Sequence, residues 1–122
     1  MAINKVYPTL PVVDIERDKK FYQEKLGFKV VKEDPSPGVL LKAGSSNLYL
    51  YQREATKADH TEAALTVKNV EATMKELREK GVVFEEYDLP NLKTVNGLFS
   101  MDGYRSAWFK DTEGNIIAIS NM

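Results

Sequence analysis

The chain of 122 residues contains no cysteine, one histidine and one tryptophan. Without cysteine there are no disulfides, no thiolate nucleophiles and no cysteine metal sites, a composition that suits a reducing cytosol. A single histidine, with no supporting spacing around it, leaves no credible Ser-His-Asp arrangement. No apolar stretch is long enough to span a bilayer, and the opening MAINKVYPTL lacks the apolar run of a signal peptide, so a cytoplasmic location is expected. Neither sign of charge dominates: Lys plus Arg number 17 against 18 Asp plus Glu. With no basic block, nucleic acid and membrane are not expected as partners. There is no Gly-rich phosphate loop, because the glycines fall where helices and turns close.

What the chain does have is a repeat. Residues 9 to 27 read TLPVVDIERDKKFYQEKLG and residues 64 to 81 read ALTVKNVEATMKELREKG. A shift of 55 aligns Leu10 with Leu65, Val12 with Val67, Asp14 with Asn69, Ile15 with Val70 and Glu16 with Glu71. A repeat near half the chain length means two copies of one supersecondary unit. We read a single domain over residues 1–122, made of module one (1–53) and module two (60–122), with the polar REATKADHT of residues 53–61 connecting them. A chain of this length, 43% hydrophobic and 29% charged, is large enough to bury a proper core.

Each module opens with an alternating apolar run: Val6, Leu10 and Val12 in one, Ala63, Leu65 and Val67 in the other. Asp14 and Asn69 then cap helices. The first carries Ile15, Tyr22 and Leu26 on one stripe with Phe21 beside it; the second carries Val70, Met74 and Leu77. Gly27 and Gly81 end them. The charged runs Glu16 to Lys20 and Glu76 to Lys80 read as wet helix faces. Strands are predicted over Phe28 to Lys32, Val39 to Ala43 and Leu48 to Gln52. In the second module they are predicted over Val82 to Tyr87, Leu98 to Met101, Ala107 to Lys110 and Ile116 to Ser120. Met101-Asp102-Gly103-Tyr104 reads as a tight hairpin, Asp111 to Asn115 as a second turn, and Leu89 to Gly97 as the longest irregular stretch and a candidate mobile loop. The pattern is βαβββ twice: an α+β fold whose two tandem modules carry curved mixed sheets enclosing a cleft, which makes a small-molecule site the default expectation.

Certain residues carry a resemblance. Leu10-Pro11-Val12-Val13-Asp14-Ile15-Glu16, then Phe21-Tyr22 and Leu26-Gly27-Phe28, are similar to the opening strand and helix of the vicinal oxygen chelate superfamily, the group of glyoxalase I, fosfomycin and bleomycin resistance proteins and extradiol dioxygenases. Trp108-Phe109-Lys110-Asp111-Thr112-Glu113-Gly114-Asn115-Ile116-Ile117 resembles its closing hairpin, with Thr112 where a proline is usual. The resemblance implies paired βαβββ modules and a homodimer. It also implies a divalent metal in the enzymes, held by about four side chains. A His typically stands five residues before the valine of each opening strand, and a Glu four residues after the glycine of each closing turn.

Carried over residue by residue, those positions are Tyr7, Glu62, Ala118 and, matching Leu48-Tyr49-Leu50 to Ile116-Ile117-Ala118, Leu50. A one-residue change of register would bring in Tyr49 or Tyr51 instead; strand parity as read here turns both toward the helix. Leucine and alanine have no donor atoms, and a neutral phenol with a pKa of about 10 is a poor ligand. One carboxylate does not make a site for Zn, Ni or Fe, so no metal and no cofactor are expected. His60 and Glu62, two apart on one strand, would add at most a second ligand; otherwise His60 is a solvated residue of the connection. Glu62 is the one catalytic candidate, a lone general base tuned by burial, unless it hydrogen-bonds Tyr7 in the vacated metal position.

The aromatic supply is richer. Tyr7, Phe99, Met101, Tyr104 and Trp108 are expected to build an apolar wall for a flat or amphipathic ligand, with Arg105 as anchor for an anion. Trp108 either lines that pocket or fills space left by absent metal ligands. The reading is a metal-independent small-molecule binding protein whose ligand meets Tyr7, Leu50, Glu62, Trp108 and Ala118. Whether it is also an enzyme stays open. Its competitors are a glyoxalase- or dioxygenase-like lyase or oxidoreductase with a divergent metal site, and a structural or regulatory homodimer with a filled cleft.

Overall fold

A computed structural model describes every residue from Met1 to Met122. The chain divides into two compact units, Met1–Lys57 and Ala58–Met122. The first unit runs β1 (Thr9–Val12), α1 (Ile15–Leu26), β2 (Lys29–Asp34), β3 (Gly38–Ala43) and β4 (Ser46–Gln52). The second runs β5 (Thr61–Thr66), α2 (Val70–Glu79), a small hairpin of β6 (Asp88–Leu89) and β7 (Leu92–Lys93), then β8 (Phe99–Met101), β9 (Tyr104–Lys110) and β10 (Ile116–Ser120). The strand orders are β1-β4-β3-β2 and β5-β10-β9-β8. In both sheets the opening strand lies parallel to the closing one, and the other pairs are antiparallel. This is the α+β fold of two tandem βαβββ modules with mixed sheets that the repeat implies.

The local chemistry behind the elements is direct. Asp14 accepts from the Arg17 amide at 3.1 Å and Asn69 from the Ala72 amide at 2.9 Å, so each helix begins with an orphan donor satisfied. Gly27 takes a φ of 72° just past α1, the left-handed conformation that lets its amide return to Gln23 and Tyr22. Asp102 and Gly103 have φ values of 48° and 89°, the two successive left-handed residues that a tight β8–β9 hairpin requires. Asp111 closes the β9–β10 turn by accepting from the amides of Glu113 and Asn115, each at 2.9 Å.

Four expectations are corrected. Val6 lies outside β1 and is exposed, because the first strand begins at Thr9. The run Glu16 to Lys20 is not uniformly wet: Asp18 is 0% exposed, since it falls on the Ile15–Asp18–Tyr22 stripe of α1. Val82 to Tyr87 is not a strand. Only Phe84 bridges to Phe109, with the Glu85 amide bonded to the Trp108 carbonyl at 2.8 Å. The edge partner of β9 is therefore split into the 84–85 contact and β8, with an excursion between them. That excursion, expected to be irregular, holds the β6–β7 hairpin, with Asp88 opposite Lys93 and Leu89 opposite Leu92.

Strand alternation sorts each sheet into two faces. In the first unit Leu10, Val12, Val39, Leu41, Leu48 and Leu50 are buried together, and α1 packs on β3 and β4 with Tyr22 fully buried. In the second unit Ala107, Phe109, Ile117 and Ile119 form the buried face, and α2 packs on β9. The opposite faces carry the residues of functional interest.

Candidate functional site

The open face of the first unit is built on a register. Thr9 pairs with Tyr49, and Leu40 on β3 pairs with the same tyrosine. Tyr49 therefore stands on the face away from α1. With Tyr7, Lys32, Asp34 and Leu40 it lines an open hollow of about 180 Å³. The Tyr7 and Tyr49 rings meet edge to face at 6.5 Å, and the Tyr49 amide donates to the Pro8 carbonyl at 3.0 Å, pinning the segment that carries Tyr7. The Tyr49 hydroxyl donates to Asp34 at 3.4 Å. Asp34 also accepts from the Ser36 amide at 3.1 Å and its hydroxyl at 2.9 Å. These bonds, the Ser36 amide first, hold its carboxyl below the usual range.

That register corrects two expectations. Leu50 is fully buried on the α1 face and does not reach the hollow; Tyr49 and Tyr51 turn the other way, not toward the helix. The match of closing strands shifts with it. Ala118 pairs with Ala64 across the second sheet, and Ala64 is the repeat mate of Thr9, whose partner is Tyr49. The counterpart of Ala118 is thus Tyr49, and that of Leu50 is Ile119.

The open face of the second unit is an aromatic row. Trp108 meets Tyr87 edge-on at 5.4 Å and Phe99 at 6.4 Å, and Phe99 meets Tyr104 at 6.1 Å. The indole N–H donates to the Thr61 hydroxyl at 3.1 Å, which fixes the ring's orientation. Ala118 sits directly across from Trp108 in the sheet. Glu62 follows Thr61 at a register irregularity, where Ile116 pairs with Thr61 and Ile117 with Ala63. A bulge of this kind re-aims the side chain it carries. Burial pushes the Glu62 carboxyl up; His60 opposes the shift and Asp111 adds to it.

Met101 shares the parity of Tyr104 but is largely exposed, at 57%. Arg105 has the opposite parity to Trp108, and its guanidinium donates to the Tyr104 carbonyl at 3.1 Å, so its strand position falls on the other face from the aromatic row. His60 is a surface residue bonded to Asp59 at 2.9 Å, a contact that raises its pKa. Tyr87, on the aromatic row, and Asp34 and Lys32, on the hollow, are residues that the sequence does not single out. The tyrosine lies in a segment whose pattern reads as regular strand. The other two become visible only once β4 parity is known.

The positions that the resemblance equates with metal ligands are therefore Tyr7 and Tyr49 in the first unit and Glu62 and Ala118 in the second. They offer one carboxylate, two neutral phenols and a methyl group. No group of three or more His, Asp or Glu side chains gathers anywhere in the structure. Neither pair by itself supplies the three or more donors that a divalent ion takes from a protein.

The family described as the Glyoxalase/Bleomycin resistance protein/Dioxygenase superfamily matches residues 4–119. Among solved structures, UcmS2 superposes with a TM-score of 0.77 at 22% identity, with 100% of both chains covered. TnmS3, an antibiotic binding protein from Streptomyces sp. CB03234, gives 0.71 at 24% identity, covering 98% of this chain and 96% of its own. The E126Q mutant of the fosfomycin resistance protein FosX from Listeria monocytogenes, complexed with Mn(II) and 1S,2S-dihydroxypropylphosphonic acid, gives 0.71 at 14% identity over 99% and 91%. These likenesses carry the fold. No curated protein matches in sequence.

Proposed function

The chain belongs to the glyoxalase/bleomycin resistance protein/dioxygenase superfamily, and from that premise we propose that it is a metal-independent binding protein for an amphipathic, aromatic small molecule. One observation carries the reading: the open face of the second unit presents Trp108 in a row with Tyr87 and Phe99, opposite Ala118 where the family's enzymes place a metal-ligating Glu. A methyl group in place of a carboxylate leaves the indole beside a buried, uncharged neighbour, and the exposed apolar surface is that of the ring row itself. A flat ligand gains about 25 cal/mol for each Å² of apolar surface it buries there, and further stabilisation from ring contacts. No bond is made or broken; the ligand is sequestered. The antibiotic-binding neighbour supports this direction. In the same reading the protein works in the cytosol as a homodimer.

Trp108 is the sole tryptophan, so its emission reports on the site alone. Titration with a panel of polycyclic amphipathic aromatics, doxorubicin among them, is expected to give saturable quenching and a raised melting temperature. A panel that moves neither, whatever the ring system or charge, contradicts the proposal.

A second reading is favoured by the desolvated Glu62, whose raised pKa suits a general base. It predicts that a bound ligand with an acidic C–H is converted, and that Glu62→Gln stops conversion while retaining binding. Recovery of unchanged ligand after prolonged incubation contradicts it.

A further inference from the structure

The excursion between residues 86 and 98 is held by one carboxylate. Glu86 accepts from the Thr94 hydroxyl and from the Gly97 amide, both at 2.6 Å on the same oxygen. Thr94, itself buried, closes on the start of the excursion: its hydroxyl accepts from the Tyr87 amide at 2.8 Å and its own amide donates to the Tyr87 carbonyl at 2.9 Å. Arg78 holds the far end, donating to the Asn96 carbonyl at 2.6 Å while its guanidinium lies over the Phe84 ring at 5.3 Å. Gly97 has a φ of 81°, and a Cβ there would press on the Phe84 and Arg78 side chains at 3.0 Å, so the backbone lies closer to those side chains than other residues allow. Tyr87, caught in this web through both its backbone groups, is the ring that meets Trp108 edge-on.

We propose that Glu86 is a positioning residue of the binding face: by tying Thr94 and Gly97 to itself it fixes the excursion, and so holds Tyr87 against Trp108. Glu86 does not touch the ligand; it acts through Tyr87. The consequence for ligand affinity rests on the binding function proposed above. The consequence for the environment of Trp108 does not.

Acrylamide quenching of Trp108 emission tests the positioning without any ligand. Glu86→Ala and Thr94→Val are each expected to raise the quenching constant about twofold, because a segment stripped of its hydrogen bonds opens locally. Glu86→Gln and Thr94→Ser keep the accepting oxygen and the hydroxyl, and are expected to stay near the wild type. A merely structural role predicts a lower melting temperature in Glu86→Ala and Thr94→Val with quenching that stays near the wild type. That pattern overturns the proposal. Should Glu86→Ala fail to fold, the Thr94 pair carries the comparison. In a second arm, doxorubicin affinity is expected to fall in step with the quenching change, and unchanged affinity in the two opened variants contradicts the extension to binding. If wild-type protein binds no aromatic probe, the binding function fails while the quenching result still decides the role of Glu86.

Discussion

The two units share a topology and a register, yet their open faces carry different chemistry. In the first, two tyrosines meet beside Asp34, an acid kept charged by the amide and hydroxyl of Ser36. In the second, an indole-centred row stands beside Glu62, an acid whose charge is discouraged by burial. Equivalent positions hold Tyr7 against Glu62 and Tyr49 against Ala118. The helix-covered faces, by contrast, match in kind: Leu10 with the half-buried Leu65, and Leu50 with Ile119. The helix-covered side fixes the frame because packing defects there are costly. The halves diverge on the other side, where Tyr49 and Trp108 stand partly exposed.

The largest expected effect tests this division. Leu50→Ala and Ile119→Ala should each destabilise the protein by about 2–5 kcal/mol in urea unfolding, while Tyr49→Ala, one residue from Leu50 but on the other face, should cost about 1 kcal/mol or less. Equal costs for Leu50 and Tyr49 would break the assignment of faces. Next comes binding. Trp108→Ala should weaken an aromatic ligand by about 2 kcal/mol, as a truncated aromatic anchor does. Tyr49→Ala, on the first unit, should leave it unchanged by isothermal calorimetry; the reverse order would move the contact to the first unit.

The smallest effect sets the two acids against each other through pH. Asp34 has its pKa lowered by folding, so it contributes stability above its unfolded pKa and loses it as pH falls through the folded value. Asp34→Asn should therefore be less stable than wild type at neutral pH, with the difference closing in acid. Glu62 has its pKa raised, so its burial penalises the folded state increasingly as pH rises from the unfolded value through the folded one. Glu62→Gln should gain on wild type in that window. Denaturant titrations at acid and neutral pH check both, and slopes of the same sign would refute the contrast.

Much of the fold is legible in the order of the amino acids. The repeat dictates the topology, and the caps Asp14 and Asn69 and the Asp102-Gly103 hairpin stand where their side chains and backbone freedom require. Face assignment in the closing strands is not legible there. Ile116 to Ile119 are all buried, so β10 shows no alternation to pin its register against Leu48-Tyr49-Leu50. A slip of one residue then flips every side chain to the other face, which turns Leu50 into an apparent site residue and hides Tyr49. Asp18 is obscured differently. Its spacing from Ile15 and Tyr22 places it on the apolar stripe, but four charged neighbours make the segment read as wet. Tyr87 and Glu86 are hidden because the interruption of the β9 edge depends on bonds from Thr94 and Gly97, distant in sequence from the strand they replace.

The proposal of binding without metal depends on Tyr7 and Tyr49 in the first unit and Glu62 and Ala118 in the second, the positions that the resemblance equates with metal ligands. Elemental analysis of the purified protein, coupled to ligand titration before and after exhaustive dialysis against a chelator, tests it most directly. The expected result is metal far below one ion per chain and an affinity that dialysis leaves unchanged. One Mn, Fe, Ni or Zn ion per chain, with binding lost on its removal and restored on its return, would contradict it.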